Sequence, residues 1–367
     1  MNKSSEIIEN PPITLKDLGW DEDWNFLFSS FKGPYIPGRV VTAHKTRYDV
    51  ITPDGIISLP ISGAMKTKKM IPVVGDFVVV LSDPDTGTKM IVSILERRTT
   101  ISRGGSGEHT GEQVIAANID MVFIITDPGH DFSIPRLLRY MLIVRASGAH
   151  PVILLNKADT CDDISPFINQ IQREIGDVSV FPVSALQSSG LDVLKPYLGS
   201  QKTVIFLGSS GVGKSTLMNA LTGSTDQKTG EIREDDGKGR HTTTVRHLTT
   251  LPSGCCIVDT PGMREIRVWT AGEHLSEEFS DIESIAVGCK FSDCTHQNEP
   301  GCAVIQAITE GTLMPGRLEQ YLKIQKEIAF EKDKANIGLK RMEKERWQGI
   351  CELGKNYREK KRWIQNR

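Results

Sequence analysis

The chain has 367 residues, 38% of them hydrophobic and 25% charged, with a formal net charge of −2. That length exceeds one ordinary core, so two or three domains are expected, and the near-neutral charge excludes a wholly basic nucleic-acid coat, leaving such binding to local surfaces. No run of about 18 apolar residues occurs, and the polar start MNKSSEIIENPP has no apolar signal core, so neither a membrane span nor a secretory leader is expected. The seven cysteines, an odd number that includes a tight cluster from 289 to 302, point to metal ligation in a reducing cytoplasm rather than a disulfide framework.

Residues 1–34 carry a short apolar patch, LGWDEDWNFLF, which reads as a small helical arm packing on its neighbour. From 35 to 100 come about five short β-rich runs, broken by turn signals such as PDG and DPDTG. They predict a small antiparallel barrel, an OB-fold being the natural candidate and an SH3-like barrel the alternative. Between the strands, AMKTKKM gives a basic loop with Lys66, Lys68 and Lys69, suited either to RNA contact or simply to solvent. ISRGGSGEHTGEQ, 101–113, lacks periodicity and reads as a mobile Gly-rich linker.

After the linker the texture becomes α/β, spanning 114–274. The runs NIDMVFIITD, PVILLN, VSVFPVSA and TVIFLG alternate with helical stretches, as in a doubly wound parallel sheet. From 275 to 367 the chain is helical apart from the Cys/His cluster. Residues 317–367 hold fifteen Lys or Arg against eight Asp or Glu, and the end, KNYREKKRWIQNR, mixes basic and aromatic residues. That composition suits RNA phosphates and bases, or equally a solvated helix.

GSSGVGKST, 208–216, matches the phosphate-loop pattern G-x-x-x-x-G-K-[ST] between an apolar strand and a helix. Its glycines let backbone N–H groups approach phosphate oxygens. The binding set is Gly208, Ser209, Ser210, Gly211, Val212, Gly213, Lys214, Ser215 and Thr216, with Lys214 reaching the β- and γ-phosphates and Ser215 placed on Mg²⁺. In IVDTPG, Asp259 ends a strand and can hold Mg²⁺ through water, while the Gly262 amide can sense the γ-phosphate. GKGRHTTT, 237–244, has the composition of a switch segment; its spacing to Asp259 favours Thr243 over Thr242 as the Mg²⁺ cap.

The base is read by NKAD, residues Asn156, Lys157, Ala158 and Asp159. The Asp159 carboxylate would accept two guanine N–H groups that adenine lacks, Asn156 would meet the base edge, and the Lys157 stem would pack along the ring. VSA supplies Ser184 and Ala185 for a backbone contact to guanine O6. The parts of a GTP site are thus complete but reversed, guanine reader first and phosphate loop second, which defines a circularly permuted G domain. Because permutation attaches the C-terminal section directly behind DTPGMRE, nucleotide state is expected to move that section. Hydrolysis needs an oriented water; Met263 occupies the position where many GTPases carry Gln, so intrinsic turnover should be slow and dependent on a partner. His241 is the nearby candidate to orient water, its alternative being a surface histidine in a flexible loop.

Cys289, Cys294, His296 and Cys302, in the spacing C-x4-C-x-H-x5-C, match a closed structural Zn²⁺ site.

Taken together, the barrel, the permuted motif order, GRHTTT, DTPGMRE and the zinc spacing resemble the ribosome small-subunit-dependent GTPase family, RsgA or YjeQ, over about residues 35–310. The resemblance implies a multidomain α/β protein with an N-terminal OB-fold that contacts rRNA, a permuted GTPase domain and a helical zinc domain that also docks on the ribosome. It further implies a bacterial cytoplasmic GTP hydrolase, stimulated by the small subunit and acting late in its maturation, with His241 as the switch histidine. A monomer is expected. The competing class is a GTP-gated RNA-binding assembly factor in which hydrolysis is incidental; a large-subunit GTPase fits the barrel and zinc cluster less well.

Overall fold

The computed structural model of the chain describes residues 13–104, 112–223, 246–259 and 274–337. His241, Thr243, Gly262, Met263 and the basic tail beyond 337 lie outside the described residues, and Asp259 is described by its backbone alone. Two compact units emerge, one comprising 1–101 and 114–265, the other 102–113 and 266–367.

The first unit begins with helix α1 (Glu22–Ser29), capped by the Asp21 carboxylate on the Trp24 N–H. Trp24 is buried against Phe77, Val79 and Leu95, with Trp20, Phe28 and Phe31 packed around it, so the apolar patch packs on its neighbouring segment. Strands β1 (Tyr35–Ala43), β2 (Tyr48–Thr52), β3 (Gly55–Leu59), β4 (Phe77–Ser82) and β5 (Lys89–Ile94) pair in the order β3-β2-β1-β4-β5, all antiparallel. No ladder joins β3 to β5 among the described pairings, so the sheet is not closed into a barrel. Contrary to the expected basic loop, residues Gly63–Thr67 form a short helix, α2, because Ser62 caps it and Met65 is buried beneath it; Lys66, Lys68 and Lys69 remain exposed. The expected linker is also corrected at its ends, where β6 (Thr100–Gly104) and β7 (Glu112–Ala117) pair as a two-stranded sheet.

The nucleotide-motif region supplies β8 (Met121–Thr126), α3 (Ile134–Ser147), β9 (His150–Leu155), α4 (Ser165–Ile175), β10 (Ser179–Pro182), β11 (Thr203–Leu207), α5 (Lys214–Thr222), β12 (Arg246–Thr250) and β13 (Cys256–Asp259). The strand order is β10-β9-β8-β11-β13-β12, parallel except for β12. Val152, Leu154, Phe123, Val204 and Phe206 are buried between this sheet and its flanking helices, which is why these strands read as apolar runs.

Two links tie β1 to this sheet. On one side β1 pairs β4 through Tyr35–Arg39, then β12 through Thr42↔His247 and Ala43↔Arg246. A register shift between Val40 and Thr42 marks where the partner changes, as a β-bulge would allow. The second link is Arg39, 1% exposed. Its guanidinium donates to the carbonyls of Leu18, Gly75 (3.2 Å) and Asn118 (3.3 Å) and to Thr203 Oγ1 (2.9 Å), and it lies 4.8 Å from the centre of the Phe77 ring. One side chain therefore satisfies acceptors from the segment before α1, the turn before β4, the residue after β7 and β11.

The second unit holds α6 (Leu275–Glu278), α7 (Ser280–Ala286), α8 (Ala303–Thr309) and α9 (Pro315–Ile337). Phe279, Ile282, Val304, Tyr321 and Ile324 are buried in its interior. Arg317 clamps α9 to α7 by bonding the Asp281 carboxylate (3.0 Å) and stacking 4.1 Å over Phe279.

Replacing Arg39 strands several buried acceptors at once, so Arg39→Met is expected to cost about 3 kcal/mol in urea unfolding followed by Trp fluorescence. An unchanged midpoint would remove Arg39 as the joint between these elements.

Candidate functional site

The phosphate loop leaves the buried strand β11 and turns into α5 through Gly208, Gly211 and Gly213, all at positive φ. Two of these glycines are required sterically. A Cβ on Gly208 would sit 2.4 Å from the Ile125 carbonyl oxygen, and one on Gly213 would sit 2.3 Å from Asn156 Nδ2. The Lys214 ammonium donates to the carbonyls of Gly208 (2.7 Å) and Ser209 (2.5 Å), folding back over the loop. Ser210, Gly211 and Ser215 are exposed, and Ser215 stands in the first turn of α5, where backbone N–H groups favour anions. Val212 is buried in the core and anchors the loop, and Thr216 follows on the same helix.

The guanine motif follows β9, two strands away across the parallel sheet, also at the carboxyl end of its strand. Asn156 is 2% exposed, and its amide is engaged on both sides. Nδ2 donates to the Val212 carbonyl of the phosphate loop (2.7 Å), while Oδ1 accepts from the Ala185 N–H (3.0 Å). Asn156 thus ties the guanine motif, the phosphate loop and the VSA loop together, where the sequence suggested contacts of Asn156 and Ala185 with the base. Ser184 is buried, with its hydroxyl accepting from the Gln187 N–H (3.1 Å). Ala158 and Asp159 lie in a short 3-10 turn, with the Asp159 carboxylate exposed and available to a ligand.

Lys157 adopts a left-handed backbone, φ 58°, and its ammonium donates to Asp127 Oδ2 (2.8 Å). Burial pushes the Asp127 carboxyl up, but the Lys157 bond and the N–H groups of Gly129 and Asp131 outweigh it, holding the pKa below the ordinary value. Asp127 was missed in the sequence, although DPG directly after an apolar strand is a signal that could have marked it. Arg136, also missed, donates to Ser209 Oγ (2.5 Å) and pairs with Asp131.

In the second unit, Cys289, Cys294, His296 and Cys302 converge, with ligand atoms all within 4.8 Å of one another. Cys289 Sγ and Cys302 Sγ are 3.9 Å apart, and each lies near His296 Nδ1, at 3.6 and 3.5 Å. A tetrahedral ion with bonds of about 2.3 Å to sulfur and about 2.0 Å to nitrogen sets S···S near about 3.8 Å and S···N near about 3.5 Å. The cluster fits such an ion, with no rearrangement of these three groups. The N–H of Ile305 in the first turn of α8 donates to Cys302 Sγ (3.5 Å).

A family model described as RsgA GTPase matches residues 94–269. A "Small ribosomal subunit biogenesis GTPase RsgA" of Methanosarcina acetivorans is 51% identical over 340 residues, covering 93% of this chain and 92% of the relative. The chain belongs to the RsgA GTPase family. A relative of the same description from Opitutus terrae is 38% identical, covering 95% of this chain and 98% of its own. Among solved structures, YjeQ from Thermotoga maritima superposes with a TM-score of 0.59 at 26% identity, over 80% of this chain and 99% of its own. YloQ, described as a circularly permuted GTPase, gives 0.55 at 27% identity, over 80% and 95%. The mixed α/β fold is accordingly that of the circularly permuted GTPases. Among the described residues, no helix is long and apolar enough to cross a membrane.

If the Cys/His cluster is the metal centre, Cys289→Ser or Cys294→Ser should lower bound metal from one equivalent to less than about a tenth, read by elemental analysis after dialysis. Full stoichiometry in both variants would place the ion elsewhere.

Proposed function

We propose that the chain hydrolyses GTP on the small ribosomal subunit, late in that subunit's maturation, with the subunit as activator. The observation that carries the reading is the Asn156 amide, bonded at once to the phosphate loop and to the VSA loop, which makes two motifs in reversed chain order one site. Asp159 accepts guanine N1–H and N2–H, the stem of Lys157 covers the ring, and the loop from Gly208 to Thr216 surrounds the phosphates. Ser215 and Thr243 would hold Mg²⁺, Asp259 would reach it through a water, and the Gly262 amide would meet the γ-phosphate. Bound Mg²⁺ neutralises charge on the phosphate oxygens. His241 orients the attacking water, since Met263 offers no polar group for that task. The relatives' description as small ribosomal subunit biogenesis GTPases supports the ribosomal partner.

The domains of this reading are an arm over 1–34, an OB-fold over 35–100, the permuted G domain over 114–274 and a zinc-binding helical domain over 275–367. The OB-fold assignment is supported by the order β3-β2-β1-β4-β5 and by an isolated parallel bridge, Ile61↔Ile91, between the segment after β3 and strand β5. Exposed Lys66, Lys68 and Lys69 suit rRNA phosphates. Three thiolates and an imidazole favour zinc over harder ions. The protein acts as a cytoplasmic monomer in this reading. The alternative, a GTP-gated RNA-binding factor with incidental hydrolysis, shares the same site.

Steady-state GTP hydrolysis, measured alone, with small subunits and with large subunits at fixed Mg²⁺ and salt, separates them. Expected is stimulation of about a hundredfold or more by small subunits only, reduced to near the basal rate in His241→Ala. Absence of stimulation by small subunits would favour the gated binding factor.

A further inference from the structure

Residues 127–136, DPGHDFSIPR, run from the end of β8 into the first turn of α3 and belong to neither nucleotide motif, yet they touch both. At one end, Lys157 Nζ donates to Asp127 Oδ2 (2.8 Å), and Asp127 Oδ1 accepts from the backbone N–H groups of Gly129 (3.0 Å) and Asp131 (3.2 Å). At the other, Arg136 Nη1 pairs with Asp131 Oδ1 and donates to Ser209 Oγ (2.5 Å). The Ser209 carbonyl in turn accepts from Lys214 Nζ (2.5 Å). A continuous path of hydrogen bonds thus runs from the lysine of the guanine motif to the lysine of the phosphate loop. Tyr140, 5% exposed, also hydrogen-bonds the Ser209 side chain.

The chemistry separates two roles for this arginine. A guanidinium that served phosphate directly would keep its donors for the ligand, whereas here the nitrogen facing the loop has both hydrogens committed to protein acceptors, Asp131 and Ser209. A planar guanidinium whose one nitrogen bridges a carboxylate oxygen and a hydroxyl restrains the distance between them. Fixed to Asp131, it holds the Ser209 side chain in place, and thereby the peptide whose carbonyl orients Lys214.

We infer that Arg136 is a positioning residue for the β- and γ-phosphate contacts, acting through Ser209 on Lys214 without touching the nucleotide. The inference rests on reading the site as a GTP site. It predicts a loss that appears with the β-phosphate, because Lys214 serves the β- and γ-phosphates and the base and α-phosphate have other partners.

The test is equilibrium binding of GMP, GDP and GTP to the full chain and to Arg136→Met, Ser209→Ala and the double variant. Thermal midpoints of the nucleotide-free proteins serve as the check on folding. Expected for Arg136→Met is a Kd raised about tenfold for GDP and GTP but less than about twofold for GMP. Ser209→Ala, a change that removes only the hydroxyl, should reproduce the pattern, and the double variant should be no worse than the more affected single one, since both changes cut the same path. Equal losses for all three nucleotides, no loss at all, or additive losses in the double variant would each overturn the inference. A parent protein that binds none of the three would overturn the GTP reading itself, and the inference with it.

Discussion

The buried amide of Asn156 is the constraint on which the nucleotide site depends. An Asn side chain has two donors and one accepting oxygen, and both of its ends are spent here on backbone groups from other segments, Val212 and Ala185. Its position also dictates its neighbour, since a residue larger than glycine at 213 would collide with Nδ2. Chain order is immaterial to such an arrangement. What counts is that β9 and β11 end at the same edge of a parallel sheet, with β8 between them. A permuted chain can therefore keep the site while changing which segments leave it.

Those departures give the permutation a physical consequence. Strand β12 directly follows the segment with GRHTTT and pairs on one side with β13, which ends at Asp259, and on the other with β1. Thr42 Oγ1 and His247 Nδ1 lie 2.8 Å apart across the β1–β12 ladder. Strand β12 is thus hydrogen-bonded to β1, and Arg39 of β1 fastens that strand to β11 through Thr203. A buried cation without a carboxylate in contact is costly unless its donors are satisfied. Burial lowers the Arg39 pKa, opposed by Asp120 and Asp76, while carbonyls, the Thr203 hydroxyl and an aromatic face meet its guanidinium.

Much of the site was legible because its motifs are local. The phosphate loop, NKAD and the cysteine spacing each encode, within fourteen residues or fewer, a geometry that physical chemistry fixes. Strands β8, β9 and β11 were legible for a related reason, since burial on both faces demands unbroken apolar runs. What escaped was long-range or conditional. The pairing of β1 with β12 joins residues some two hundred positions apart and leaves no periodic trace. Helix α2 hid inside a basic run because its single buried residue, Met65, cannot set a period. Asp127 and Arg136 carry side chains common on any surface, and only the fold brings them to Lys157 and Ser209.

The most direct measurement is displacement of a fluorescent GDP analogue by GDP, ADP and XDP, in the parent chain and in Asp159→Asn. If the reversed motifs make one guanine site, the parent should show a single site that prefers GDP to ADP by about a hundredfold or more. Asp159→Asn should lose most of its GDP affinity and gain XDP, because the amide can donate to the carbonyl that xanthine has in place of the guanine amine. Equal displacement by GDP and ADP in the parent, or GDP binding untouched by the Asp159 change, would contradict it.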